Sequence, residues 1–243
     1  MRPDPPAVRF DASGFDVVAE LKPRSPLRGS LLAGGSRTVP ERAAAYARGG
    51  ACAVSVLTDP AAFGGSLTLL SAMARASGLP TMRKDFLVDP YQVVEARANG
   101  ASGVLLIARL LDAGLLREMM AAAACARLFA LVEVFGPDDL DRGVDAVAAA
   151  RGAALLGVNA RDLKTLAVDP SRHASLARLL PAGCRSVAES GIGTPADAAR
   201  VARLGYAAAL VGSSLMQAPD SAALLTAMIA SGRKAAIHRE VTR

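Results

Sequence analysis

The chain has 243 residues, 52% of them hydrophobic, and a formal net charge of +6. That length suits one complete eight-fold β/α barrel, typically ~250 residues, although two smaller domains would also fit it. No run reaches the roughly 18 uncharged apolar residues of a membrane helix, the opening MRPDPPAVRFDASG lacks the apolar core of a signal peptide, and the basic residues are not interleaved with aromatics as a nucleic-acid stacking platform requires.

In chain order, a short extension (1–16) leads to a first strand over Val17–Lys22 and a helix over Pro40–Ala47. The same unit recurs as Ala53–Thr58 with Leu67–Ser77, Thr81–Phe86 with Pro90–Asn99, and Gly103–Ala108 with Leu115–Ala126. It continues as Phe129–Val134 with Pro137–Ala150, Leu155–Asn159 with Pro170–Leu180, Ser186–Ser190 with Thr194–Leu204, and Ala208–Val211 with Ser221–Ser231. Residues 232–243 form a basic tail (Arg233, Lys234, His238, Arg239, Arg243) that reads as solvated. Prolines stand in several first helical turns, where the missing N–H costs nothing. Thr194 before Pro195 reads as an N-cap, and glycines such as Gly50, Gly78, Gly100, Gly183 and Gly205 close several helices. Short β-branched runs alternating with helices predict a parallel α/β fold. Eight units over 1–243 predict a single-domain (β/α)8 TIM barrel, with a doubly wound sheet as the alternative.

The strands are apolar until their C-terminal ends. The first ends in Glu20 and Lys22, the third in Lys84 and Asp85, and the fifth carries Glu133. The sixth ends at Asn159, followed by Arg161, and the seventh in Glu189 and Ser190. Barrel active sites are built from these ends and the loops after them. Two lysines and three glutamates converging on one mouth make an acid/base constellation, and such mutual neighbours are where pKa values are tuned. Structural salt bridges at the rim are the alternative. Two glycine-bearing turns close the chain, Glu189-Ser-Gly191-Ile-Gly193-Thr194 and Leu210-Val-Gly212-Ser213-Ser214. Backbone amides in such turns bind phosphate, so a small phosphorylated substrate is the expected partner, drawn in by the positive charge. Gly191 to Ala196 also scores as a dinucleotide fingerprint, but no acid follows about 20 residues on. Cys52, Cys125 and Cys184 are isolated and read as buried small apolar residues of a reducing cytoplasm. With only His173 and His238, a His-based metal site is not expected.

Eight strings in order, AELKPRSPLRG, SVLTDPAAFGGSL, LPTMRKDFLVDPYQVVEARANGA, VLLIARLL, LVEV, GVNARDL, AESGI and LVGSSLM, resemble the indole-3-glycerol phosphate synthase family from about Val17 to Leu225. The resemblance implies closure of an indole ring from a carboxyphenylamino-deoxyribulose phosphate, with loss of carbon dioxide and water, a reaction that needs no metal or organic cofactor because the carboxylate leaves as the ring regains aromaticity. It implies Lys84 as general acid at the substrate carbonyl and Glu133 as the group removing a proton during dehydration. Lys22 would lie near the substrate carboxylate, and Glu20, Asn159 and Glu189 would hold hydroxyls and orient the lysines. Ser25, Gly191, Gly212 and Ser213 would cradle the phosphate, Arg161 and Leu163 belong to the loop after the asparagine, and Phe63, Phe86 and Leu106 would wall the aromatic ring. An ammonium among cations has a lowered pKa and donates readily, and this is the expectation for Lys84.

The chain departs from the family at Pro23, Ser102 and Phe135, has no tryptophan, and has about 16 residues before its first strand, where the family has several tens. These departures leave room for a paralogue acting on a modified anthranilate-derived ribulose phosphate. Two further readings are an isomerase barrel of the same or of histidine synthesis, which needs a Cys/Asp or Asp/Asp pair absent here, and a non-catalytic phosphate-binding barrel. A monomer or weak homo-oligomer is expected.

Overall fold

The computed structural model describes residues 6–8, 14–25, 29–30, 38–150 and 154–241, with the side chains of residues 25, 30 and 238–241 outside that description. Eight parallel strands close into a barrel: β1 (Asp16–Leu21), β2 (Ala53–Leu57), β3 (Thr81–Lys84), β4 (Gly103–Ile107), β5 (Phe129–Val134), β6 (Ala154–Asn159), β7 (Ser186–Glu189) and β8 (Ala208–Val211). Closure comes from β1, which pairs with β2 through Val18↔Ala53 and with β8 through Asp16↔Ala208. The outer helices are α1 (Val39–Arg48), α2 (Leu67–Ser77), α3 (Pro90–Ala98), α4 (Ala113–Cys125), α5 (Pro137–Ala149), α6 (Ser171–Ala177), α7 (Pro195–Leu204) and α8 (Ser221–Val241).

The single (β/α)8 barrel expected from the sequence is the fold. The predicted strands differ from the observed ones only at their ends. The last helix, expected to stop at Ser231, runs on to Val241. A two-residue ribbon (Arg24–Ser25 with Gly29–Ser30) and two short helical turns (Pro60–Phe63 and Ser213–Gln217) were not anticipated as elements. Thr194 caps α7 as predicted, its Oγ1 accepting from Asp197 N at 3.2 Å while Asp197 reaches back to Thr194 N at 3.0 Å. Cys125, expected to be buried, is exposed.

Alternation along each strand sorts its side chains into two cores. Val17, Ala19, Val54, Val56, Val104, Leu106, Val132 and Val158 face the helices. Val18, Ala53, Met82, Leu105, Ile107, Leu131, Leu155, Val187 and Leu210 fill the barrel interior. The interior is tight at its N-terminal floor, where Val8, Val18, Met82, Phe129, Leu155 and Val187 leave a space of only about 10 Å³. Toward the C-terminal end the inward positions turn polar: Val18 gives way to Glu20, Met82 to Lys84, Leu131 to Glu133 and Val187 to Glu189.

Candidate active site

The C-terminal mouth opens into a cavity of about 880 Å³. It is lined by Glu20, Lys22, Phe63, Lys84, Phe86, Glu133, Asn159, Arg161, Leu163, Glu189, Gly191, Gly212 and Ser213. All of these were singled out in the sequence. Leu106 was too, but it is fully buried on the outer face of β4, packed among the helices. Its neighbours Leu105 and Ile107 face inward and line the cavity together with Leu110. The side chain of Ser25, and Arg28, lie outside the described residues.

The deepest polar feature is a lysine gripped by two carboxylates. Lys84 Nζ donates to Glu133 Oε2 and to Glu189 Oε2, each at 3.0 Å. The three groups come from β3, β5 and β7, so the barrel's curvature brings together residues far apart in the chain. Asn159 Nδ2 donates to the same Glu133 oxygen at 3.0 Å, and its Oδ1 accepts from Arg161 N at 2.9 Å, which fixes the amide's orientation. On the opposite side of the mouth Lys22 Nζ lies 3.1 Å from Glu20 Oε1.

These contacts reverse one expectation. Burial penalises the Lys84 ammonium, but the carboxylates of Glu133, Glu189 and Glu20 outweigh it and hold its pKa above the ordinary lysine value. Its neighbours are anions, not the cations assumed from sequence, so the predicted lowering is wrong. Burial, reinforced by Glu133 and opposed by Lys84, pushes the Glu189 carboxyl well above the usual carboxylate range. Removing three ionisable groups from water costs several kcal/mol per ion before their mutual attraction is counted. Such a cluster is weak evidence for stability and a marker of a functional site.

Two glycines make room for the carboxylates. A Cβ on Gly157 of β6 would sit 2.2 Å from Glu189 Oε1, and one on Gly212 would sit 2.3 Å from Glu20 Oε1. Gly212 was read from the sequence as a turn glycine of the phosphate cradle, not as a neighbour of Glu20, and Gly157 was not singled out at all. Glu189 Oε1 is buried with no hydrogen-bond partner among the described residues. Ser190 and Gly191, directly after β7, adopt left-handed φ values of 65° and 70°. The amides of Gly193 and Thr194 are bound to the Asp197 carboxylate at 3.1 and 3.0 Å, leaving the turns at Gly191 and at Gly212–Ser214 to face the cavity. There the Ser214 hydroxyl is buried without a partner among the described residues.

The walls are apolar. Phe63 and Phe86 stack with ring centroids 6.3 Å apart and planes 23° from parallel. Leu163, Leu166 and Val168 come from the loop after β6. That loop is tied down by Arg161, whose Nη1 donates to Leu166 O at 2.7 Å, and by Asp162 Oδ1, which accepts from Lys164 N and Thr165 N. Asp85, read as a polar strand end, is held at the cavity's edge by Thr58 Oγ1 at 2.6 Å and Arg83 Nη2 at 3.0 Å. Arg83 points the other way from Lys84 and also pairs with Glu95 of α3 at 2.8 Å. Asp85 therefore anchors the strand end.

The indole-3-glycerol phosphate synthase family model matches residues 5–228. A relative of that name from Nocardioides sp. is 48% identical over 221 residues, covering 90% of this chain and 81% of the relative. Another, from Micrococcus luteus, is 45% identical over 219 residues, covering 88% and 78%. Among solved structures, a mandelate oxidase aligns with a TM-score of 0.64 at 18% identity over 91% of this chain and 73% of its own. The 3-hexulose-6-phosphate synthase of Salmonella typhimurium aligns at 0.60 and 15% identity over 92% and 99%. At those identities the likeness is one of fold. Among the described residues no helix is long and apolar enough to cross a membrane.

Proposed function

The chain belongs to the indole-3-glycerol phosphate synthase family, and from that premise we propose that its cavity closes the indole ring of 1-(2-carboxyphenylamino)-1-deoxyribulose 5-phosphate, with the cluster around Lys84 moving the protons. The observation that carries the assignment of roles is the Lys84 ammonium, held at 3.0 Å by carboxylates from two other strands beneath an apolar-walled cavity. The ring carbon bearing the carboxylate forms a bond to the substrate's carbonyl carbon, and Lys84 gives its proton to the carbonyl oxygen. Carbon dioxide then leaves with its bonding pair returned to the ring, which restores aromaticity. Finally Lys84, recharged from solvent after the first step, gives a proton to the new hydroxyl, which leaves as water while Glu133 takes a proton from the carbon next to nitrogen. General acids and bases of this kind contribute about 10²–10⁴-fold each.

The raised Lys84 pKa suits a donor that stays charged until an alkoxide forms beside it, because that alkoxide is a stronger base than the amine. Glu189, with its elevated pKa, orients Lys84 and holds a substrate hydroxyl together with Asn159 and Glu20. Lys22 meets the substrate carboxylate. The phosphate rests in the turns at Gly191 and Gly212–Ser213, with Ser25 closing the cradle. The Ser214 hydroxyl, buried without a partner among the described residues, supports an anion there. Phe63, Phe86, Leu105, Ile107, Leu110 and Leu163 form the wall for the aromatic ring. A modified anthranilate-derived analogue is the second substrate reading. The protein is read as cytoplasmic and as a monomer or weak homo-oligomer.

The test is incubation of the purified protein with the ribulose phosphate, following indole product by fluorescence and mass, with Lys84→Ala as control. Turnover in the wild type and none in the variant is expected. A folded wild type that binds the compound without turnover points to the modified analogue, and one that neither binds nor reacts removes the assignment.

A further inference from the structure

We propose that Arg172 and His173, adjacent in the first turn of α6, are positioning residues that set the spacing of Asn159 and Glu189 by gripping their main-chain carbonyls. The inference rests on the reaction assigned above. Arg172 Nη1 donates to Asn159 O at 3.0 Å, and His173 Nε2 lies 3.1 Å from Glu189 O. A carbonyl can only accept, so Nε2 carries the imidazole proton and Nδ1 is bare. The ring is fully buried, and Nδ1 has no partner among the described residues. Two more bonds knit the same corner. Ala160 N donates to Glu189 O at 2.9 Å, and Asp169 N donates to Ala160 O at 2.9 Å. His173 is itself held, with Tyr206 Oη donating to its carbonyl at 2.9 Å and the two rings meeting edge-on at 5.7 Å.

A buried polar atom left unpaired is destabilising. A phenylalanine or leucine would fill the space without that cost, but neither offers an N–H to the end of β7. What the grip controls lies one bond further on. The side chain of Asn159 holds Glu133, and the side chain of Glu189 holds Lys84. A change in the spacing of these two strand ends therefore moves both carboxylates against the lysine. The same device recurs at β1, where Tyr46 Oη donates to the carbonyl of Glu20 at 3.2 Å from the helical layer. The strand ends that carry Glu20, Asn159 and Glu189 are each held from behind by a side-chain donor that never enters the cavity.

The experiment compares wild type with Arg172→Met, His173→Phe and His173→Gln, measuring kcat, KM, the pH dependence of kcat and thermal melting, with ¹⁵N NMR of the imidazole and amide exchange alongside. In folded His173→Phe, kcat is expected to fall on the order of 10- to 100-fold, as for an ångström-scale misplacement. KM should change little and the acid limb of the pH profile should move. Glutamine keeps an N–H within reach of the carbonyl, and His173→Gln should recover most of kcat. A folded His173→Phe as active as wild type, or a His173→Gln as impaired as the phenylalanine variant, overturns the proposal. If His173→Phe does not fold, Arg172→Met and the wild-type tautomer decide: a proton on Nδ1, or unchanged kcat in Arg172→Met, overturns it. If the wild type does not turn over the ribulose phosphate, the assigned reaction fails separately. The grip is then read from the Nε2–H tautomer and from faster exchange of the Ala160 amide in the variants, and unchanged exchange rejects it.

Discussion

The two ends of the barrel interior are made from the same strands and behave oppositely. At the floor, Val18, Met82, Leu155 and Val187 meet across a residual space of about 10 Å³. Two to four residues further along, Glu20, Lys84, Asn159 and Glu189 line a cavity of about 880 Å³, and Glu189 Oε1 is buried there without a hydrogen-bond partner among the described residues. The floor holds the barrel together by close packing, where even one methylene is felt. The mouth spends stability on charges brought out of water. Stability and chemistry are thus divided by position along each strand, and a substitution's effect should depend on how far along it lies.

The largest expected effect is at the mouth. Lys84→Met should lower kcat by about 10²–10⁴-fold, the range of a lost general acid, in a protein that stays folded by circular dichroism; a smaller loss would dissolve the contrast. Next is Gly157→Ala, whose methyl would land 2.2 Å from Glu189 Oε1. Displacing that carboxylate should cost on the order of 10- to 100-fold in kcat and roughly 1–3 kcal/mol in stability from overpacking. It is the one change expected to register on both sides of the division. Leu155→Ala at the floor should destabilise by about 2–5 kcal/mol while kcat of the folded protein stays within about a factor of two, and a large fall in kcat would show that floor and mouth are coupled.

The smallest effect concerns pH. Burial holds the His173 pKa below its ordinary value of 6.5, with Arg200 and the neighbouring Arg172 pushing the same way and the Glu189 carbonyl and Asp169 opposing. The unfolded chain then binds a proton that the folded one refuses. The stability from the neutral ring is fully present above pH 6.5 and is lost as pH falls through the lowered folded value. His173→Gln should flatten melting temperature against pH in that window, and an unchanged slope would assign it to other groups.

Much of this was legible in the sequence, because apolar strands that turn polar at their ends announce a barrel mouth. Glu20, Lys84, Glu133 and Glu189 could be read that way. Leu106 could not: the run Val104-Leu-Leu-Ile-Ala108 is apolar on both faces, as strands of a covered parallel sheet are, so alternation carried no phase to tell Leu106 from Leu105 and Ile107. The Lys84 environment was misread because its partners arrive from β5 and β7, and a strand pattern does not say which charges meet across the barrel. Arg172 and His173 gave no signal, since they act on carbonyls that every residue possesses. Gly157 looked like any small residue in a strand until the Glu189 carboxylate was found against its Cα.

The lysine between two carboxylates also sets which ligands can compete for it. Glu133 and Glu189 are tethered to the same barrel, so each faces Lys84 at an effective concentration that a freely diffusing ion cannot match. Stray acetate or inorganic phosphate must displace partners that never leave. On the proposed assignment, a molecule anchored by its phosphate at Gly191 and Gly212, and by its ring against Phe63 and Phe86, would present its carbonyl on comparable terms. The two carboxylates thus act as built-in competitors for the lysine, which a ligand binding at both ends of the cavity would be best placed to displace.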